Sequence, residues 1–381
     1  MALQQLPLSL YIHIPWCVEK CPYCDFNSHA LKTELPEADY VAALLNDLEQ
    51  DIKRFNIDRE LHSIFIGGGT PSLFSPLAIE TLLTGVYQLL KPSKNIEVTL
   101  EANPGTVEAE KFIGFSNAGV NRLSIGVQSF ADDKLIQLGR IHNTNQAETA
   151  AKLAAECGVS SFNLDLMHGL PKQNLSQALT DLDKAIALNP QHISWYQLTI
   201  EPNTSFYSKP PVLPDDDILW DIQQQGVAKL AAAGYVQYET SAYAKKGFES
   251  NHNKNYWRFG DYLGIGCGAH GKITDTDSKH ITRTVKVKHP KGYLDESRAF
   301  LDQEIKVSNE ELPFEFMMNQ LRLLERFSLT QFTQRTGLSV DTILPHLNKA
   351  KQQQLMTEKN GYWQVTPHGQ RYLNDVLALF I

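Results

Sequence analysis

The 381-residue chain has no uninterrupted apolar run approaching the ~20 residues of a membrane-spanning helix. Its first residues, MALQQLPLSLYIHIP, lack a basic segment followed by an apolar one, so no secretory signal is expected. Positive charge is also short. Lys and Arg number 35 against 43 Asp and Glu, a net charge of −8, and no global field favours nucleic acid or an anionic membrane. Cysteine is scarce, at five residues, an odd count that does not read as a disulfide framework. These absences predict a cytoplasmic protein that is not integral to a membrane, where clustered thiols mean metal or catalysis. What is present is ordinary globular composition, 42% hydrophobic and 20% charged. A chain of this length buries a large core without staples.

Strand-like runs rich in β-branched and aromatic residues fall at 8–14, 62–69, 96–103, 122–128, 160–169 and 192–199. Stretches of helical apolar periodicity separate them, beginning near Pro36, Ser75, Val107, Asn145 and Leu175. Six β-then-α units in series imply a parallel sheet with crossover helices. The fold class is α/β. A partial (β/α)6 barrel over residues 1–205 fits six units better than a closed eightfold barrel, and a doubly wound order stays open. Residues 206–311 are less regular and read as an extension of that barrel. Residues 312–381 read as three short helices, a hairpin tipped by Asn-Gly and a closing helix, a winged-helix-like α+β pattern. That last segment carries seven Lys and Arg and five Asp and Glu, a weak footprint for DNA. A lid or a protein-docking surface is the expected role.

Three of the five cysteines, Cys17, Cys21 and Cys24, lie within eight positions just after the first strand. Loops of three or four residues close poorly as disulfides. Zinc in structural sites takes four ligands, commonly on paired CxxC arms, and no second arm is present. His13 or His29 would have to complete such a site, which spacing alone leaves open. Three thiolates also suit three corners of an iron–sulfur cluster, leaving one iron without a protein ligand. Polar and glycine residues cluster at the strands' carboxyl ends, the edge where such folds place chemistry. The glycines of IGGGTPS allow close approach of a ligand and offer backbone N–H groups. Glu101 offers a carboxylate, Gln128 and Asp165 further polar groups, and Arg140 a fork for a carboxylate.

CxxxCxxC after the first strand of a six-unit βα fold resembles the radical S-adenosylmethionine (SAM) superfamily. Read with GGGTPS, LEANPGT, RLSIGVQSF, LGRIH and NLDLMHGLPKQ in order, nearly the whole chain resembles the oxygen-independent coproporphyrinogen III oxidase family. The resemblance implies a 4Fe-4S cluster on Cys17, Cys21 and Cys24. It places cluster-bound SAM against Tyr11, Gly68 and Glu101. Tyr23, Gly69, Thr70, Gln128, Arg140 and Asp165 match positions that hold a second SAM in the oxidases.

The family divides at Phe26. The oxidases resemble CxxxCxxCxC, and Phe26 stands where they have a fourth cysteine. They also carry a longer N-terminal extension, whereas sixteen residues precede Cys17 here. Both departures resemble the sister branch of heme chaperones, which carries HNxxYW, present as HNKNYW from His252 to Trp257. The resemblance implies heme contact by His252, Asn253, Tyr256 and Trp257, with His252 the first candidate for iron and Cys267 and His270 weaker ones. It implies heme and apo-heme acceptor proteins as partners, membrane-associated respiratory proteins among them, and no nucleic acid. Decarboxylation of coproporphyrinogen III by a deoxyadenosyl radical is the alternative, and a radical SAM enzyme acting on another substrate the third reading. Whether SAM is cleaved in turnover is left open.

Overall fold

The computed structural model describes residues 3–106 and 109–381. Val107 and Glu108, where the third helix was expected to start, lie outside them, as do Met1 and Ala2. Twelve strands among the described residues form one sheet. In chain order they are β1 Leu8–Ile14, β2 Leu61–Gly68, β3 Pro92–Ala102, β4 Arg122–Gln128, β5 Ser161–His168 and β6 His192–Gln197. Then follow β7 Val236–Glu239, β8 Ala242–Ala244, β9 Asp261–Ile265, β10 His270–Asp275, β11 His280–Lys286 and β12 Leu301–Lys306. The spatial order is β12-β11-β10-β9-β1-β2-β3-β4-β5-β6-β8-β7, and the sheet does not close on itself.

β1 to β6 pair in parallel in sequence order, as their spacing predicts. Helices Glu37–Arg54, Pro76–Leu89, Ala109–Asn117, Thr144–Glu156 and Leu175–Ala187 connect them. Local chemistry starts these helices. Asn143 with Gln146, and Asn174 with Gln177, form reciprocal capping boxes. Ser75 caps the second helix ahead of Pro76. The strands are buried on both faces, β1 placing Leu8, Leu10, Ile12 and Ile14 on one and Ser9, Tyr11 and His13 on the other, with six of seven residues buried. That is the burial expected of parallel strands covered by helices.

A seventh parallel strand was not foreseen. β9 pairs with β1 on the side away from β2, with Leu8 opposite Asp261 and Ile12 opposite Ile265. It turns the N-terminal strand into an interior one. Its first residue, Asp261, is fully buried and takes ion pairs from Lys272 at 2.9 Å and Arg59 at 2.6 Å, so its charge is compensated inside the sheet. β10 to β12 continue antiparallel from β9, and β8 and β7 do so from β6.

Residues 312–381 build most of a second core, which includes Phe316, Phe332, Leu347 and Trp363 and is joined by Phe259, Ile281 and Val307 from the preceding region. Helices Leu312–Gln320, Leu329–Thr336 and Leu344–Gln352 precede the hairpin Met356–Lys359 and Tyr362–Val365. Asn360 and Gly361 turn it with φ of 56° and 80°, the left-handed pair a two-residue hairpin loop requires. The closing helix is broken at Tyr372 into Pro367–Arg371 and Leu373–Ala378. Arg258 pairs both nitrogens with Glu325, at 2.7 and 2.5 Å, and Thr240 N–H donates to the Arg322 carbonyl, so this unit docks on the sheet. Among the described residues no helix is long and apolar enough to cross a membrane.

Candidate cofactor and ligand site

The cysteine loop leaves the carboxyl end of β1 and is tied shut behind the thiols. Trp16–Cys17 pairs with His29–Ala30, and His29 N–H and Leu31 N–H donate to the carbonyls of Pro15 and Cys17. A turn from Cys21 to Cys24 tightens its tip. The three thiols are half-buried, unbridged and line one cavity of about 780 Å³. Burial pushes the Cys17 and Cys24 thiols up, against hydrogen bonds from Thr70 and Ser28. A metal ligated there would reverse that by removing their protons.

The zinc alternative finds no fourth ligand. His13 donates from Nε2 to the Asn27 carbonyl at 2.8 Å, so its Nδ1 accepts from the Tyr11 hydroxyl at 2.9 Å. Both nitrogens are taken, and burial lowers the ring to about 4, so it is neutral. His29 packs edge-on against His289. Among the described residues no three His, Cys, Asp or Glu side chains converge on one ion position. Three thiols on one cavity wall match three corners of an iron–sulfur cluster, whereas a structural zinc takes four ligands.

The same cavity gathers Tyr23, Gly68, Gly69, Thr70, Glu101, Gln128, Arg140 and Asp165. Glu101 accepts from Gly68 N–H at 3.0 Å, and burial, reinforced by the Asp165 charge, raises it to about 8. Burial also raises Asp165, although Ser124 and Asn163 donate to it at 3.0 and 2.8 Å. Two buried carboxyls facing a cavity are relieved by a ligand bringing an ammonium or hydroxyls. Gln128 sits at φ 65°, and its Oε1, like Arg140 Nε, is buried with no partner among the described residues. Such orphaned atoms fit a ligand-binding wall. The residues therefore fit SAM and a cluster on chemistry found in the protein itself.

Two expectations change here. The N–H groups of Gly68, Gly69 and Thr70 donate to Glu101, the Ile14 carbonyl and the Trp16 carbonyl. They are not free for a ligand. What the glycines supply is room, since a Cβ at Gly69 would meet the Trp16 carbonyl oxygen at 2.5 Å and one at Gly68 the His13 ring at 2.5 Å. Arg140, expected to fork a ligand's carboxylate, also donates to Cys21 Sγ at 3.4 Å and the Gly126 carbonyl at 2.8 Å. It backs the cysteine loop.

HNKNYW is a helix, Asn251–Trp257, where an irregular glycine-rich and aromatic stretch was expected. Ser250 caps it, and Glu97 accepts from the N–H groups of Asn251 and His252 at 2.9 Å each, a carboxylate at the helix N-terminus. The helix separates the motif into two faces. His252 and Tyr256 line a second cavity of about 750 Å³, with Tyr11 and His270. Asn253 and Trp257 line the first. Gly68, Glu101, Asp25, Phe26 and Ser28 border both. His252 is 8% exposed. Its Nδ1 bonds Ser63 Oγ at 3.0 Å, and its ring lies 5.2 Å from that of Phe65. Burial drives it down to about 3, so the ring is neutral. Cys267 is fully buried and donates Sγ–H to the Lys288 carbonyl at 2.8 Å, which removes it as a ligand candidate.

Sequence reasoning missed Tyr196, Glu239 and Arg322 around the first cavity and Tyr262 and Lys288 around the second. No local pattern marks them, because they arrive from other strands and, for Arg322, from the C-terminal unit.

Three thiols after the first parallel strand, with a glycine turn and buried carboxyls on the adjoining strand ends, define a radical SAM protein. Residues 11–185 match the Radical SAM superfamily and residues 307–372 match the HemN C-terminal domain. The chain is 59% identical to the Heme chaperone HemW of Escherichia coli (strain K12), over 98% of each chain. Identity to the Heme chaperone HemW of Bacillus subtilis (strain 168) is 36%, over 98% of this chain and 99% of that one. The chain belongs to the HemW heme-chaperone family of the radical SAM superfamily. The fold is similar to that of the coproporphyrinogen III oxidase HemN of Escherichia coli, with a TM-score of 0.82 at 23% identity over 99% of this chain and 90% of that one.

Proposed function

We propose that this chain binds heme and delivers it to apo-heme acceptor proteins from a radical SAM scaffold in the cytoplasm, with membrane-associated respiratory proteins among the acceptors. The observation that carries this, beyond family membership, is His252. Its Nδ1 is engaged by Ser63, its ring is neutral, and its Nε2 has no hydrogen-bond partner among the described residues beside the cavity. Imidazoles that ligate metals are held in this way through the other nitrogen. Tyr256 flanks the same cavity, a surface for the macrocycle. Asn253 and Trp257 are proposed to complete the heme contacts from the adjacent face of the helix.

Cys17, Cys21 and Cys24 would hold the 4Fe-4S cluster, and Tyr11, Gly68 and Glu101 the SAM bound to it. When bound, the cluster supplies reducing electrons at the SAM sulfonium. Tyr23, Gly69, Thr70, Gln128, Arg140 and Asp165 are proposed for a second SAM. In this arrangement Glu101 accepts the ligand's donors, Arg140 steadies Cys21, and Tyr11 fixes the neutral tautomer of His13 against the loop.

The test is a paired assay on anaerobically reconstituted protein. One sample receives coproporphyrinogen III, SAM and a strong reductant, and the other is titrated with hemin. Saturable hemin binding with no protoporphyrinogen formed supports the chaperone. Product over many turnovers overturns it in favour of decarboxylation.

A further inference from the structure

A porphyrin with ionised propionates brings two negative charges as well as iron and a flat apolar ring. Those carboxylates lose water on entering a cleft and bind best to cations. His252 addresses the iron and Tyr256 the ring, and neither addresses the charge. Lys20 and Lys288 border the cavity beside His252. The Lys288 backbone is fixed, its carbonyl accepting from Asn27 Nδ2 at 2.9 Å and Cys267 Sγ at 2.8 Å. Its exposed side chain makes no hydrogen bond or ion pair among the described residues. Lys20 donates to the carbonyls of Phe26 and Ser28, at 3.2 and 3.4 Å.

The surrounding histidines register this positive field. After burial, the charges of Lys288 and Arg283 hold His270 below its ordinary value, and those of His289 and Lys20 do so for His29. Two carboxyl groups border the same cavity. Asp25 is exposed on the cysteine loop, and Glu101 is deep and raised to about 8. The rim is therefore basic where it opens. We propose that Lys288 and Lys20 form the carboxylate-recognising edge of this cavity, directing a porphyrin's propionates outward while its iron faces His252. The ring then lies among Phe26, Tyr256 and Tyr262, which border the same space. This rests on the heme reading given above.

The experiment titrates the full-length protein with hemin and, separately, with hemin dimethyl ester, whose propionates are capped. Wild type is expected to prefer hemin by about tenfold, the scale of one charge-assisted hydrogen bond. Lys288→Glu should weaken hemin by about tenfold and leave the ester unchanged, and Lys288→Arg should restore the preference. Lys20→Glu should act in the same direction and less. Both side chains are exposed, so folding is not at stake. Equal affinity of wild type for the two ligands overturns the proposal. So does a hemin affinity unmoved in both Glu variants, or a loss shared equally by hemin and ester. If His252→Ala loses hemin while the lysine variants keep it, the heme reading stands and this edge falls. If wild type takes up neither porphyrin, both fall.

Discussion

The two cavities share a wall and differ in chemistry. The one over the cysteines is lined by Glu101 and Asp165, carboxyls raised by burial. The other carries His13, His29, His252 and His270 with Lys20 and Lys288. Buried carboxyls favour a ligand that brings an ammonium or hydroxyls, while neutral imidazoles and exposed ammonium groups favour a metal and its anionic substituents. One seven-residue helix serves both sides. His252 and Tyr256, four apart, share one face, and Asn253 and Trp257 share the next. The helix divides its own residues between two cavities that Gly68, Glu101 and Phe26 border in common.

The most severe break in that contrast is Cys17→Ala. Iron and sulfide content of the anaerobically reconstituted protein should fall to background while hemin uptake persists. Unchanged iron and sulfide would contradict the thiol assignment. Next, His252→Ala should weaken hemin by about tenfold to a hundredfold, the cost of losing a metal ligand or its support, with SAM affinity held within about twofold. A wild-type hemin titration would move the iron ligand elsewhere, with His270 the next to test.

Glu101→Gln should lower SAM affinity by about tenfold at pH 9 and leave hemin alone. In wild type, SAM affinity should climb between pH 6 and 9 as Glu101 ionises near 8. The Gln variant should show no such climb. Stability moves the other way. The folded carboxyl holds a proton that the unfolded chain, with its ordinary value of 4.5, has already released. The ligand-free protein therefore loses stability as pH rises from about 4.5 to about 8. Melting curves at pH 5 and pH 8.5 should show the Gln variant gaining on wild type at the higher pH.

Phe26→Ala is expected to have the smallest effect. Phe26 is 60% exposed and borders both cavities, so the melting temperature should hold. A few-fold loss should appear for both ligands, the scale of one partly covered aromatic side chain. A loss confined to one ligand would assign Phe26 to that cavity alone.

Legibility followed the range of the forces involved. The strands from Leu8 to Gln197 and the helical stretches between them rest on neighbours a few residues away and could be read, whereas the capping boxes at Asn143 and Asn174 were not. CxxxCxxC was legible because three thiols on a short loop have few structural uses. The glycine turn was half legible. Its need for room was evident, but the fate of its N–H groups depended on carbonyls at Ile14 and Trp16. Arg140 was placed on the right edge, but its contact with Cys21 was not foreseen, because nothing nearby in sequence points to it.

The sequence by itself determined the parallel β1–β6 core, the cysteine loop, the hairpin at Asn360 and the motif that marks the family. Periodicity, turn stereochemistry and capping decide those within a few residues. Only the tertiary structure decided that β9 flanks β1, that HNKNYW is a helix dividing two cavities, and that Ser63 holds His252 across 189 residues and Asn27 holds Cys267 across 240. Contacts of that span depend on how the chain is routed through the sheet, and no local preference encodes the route.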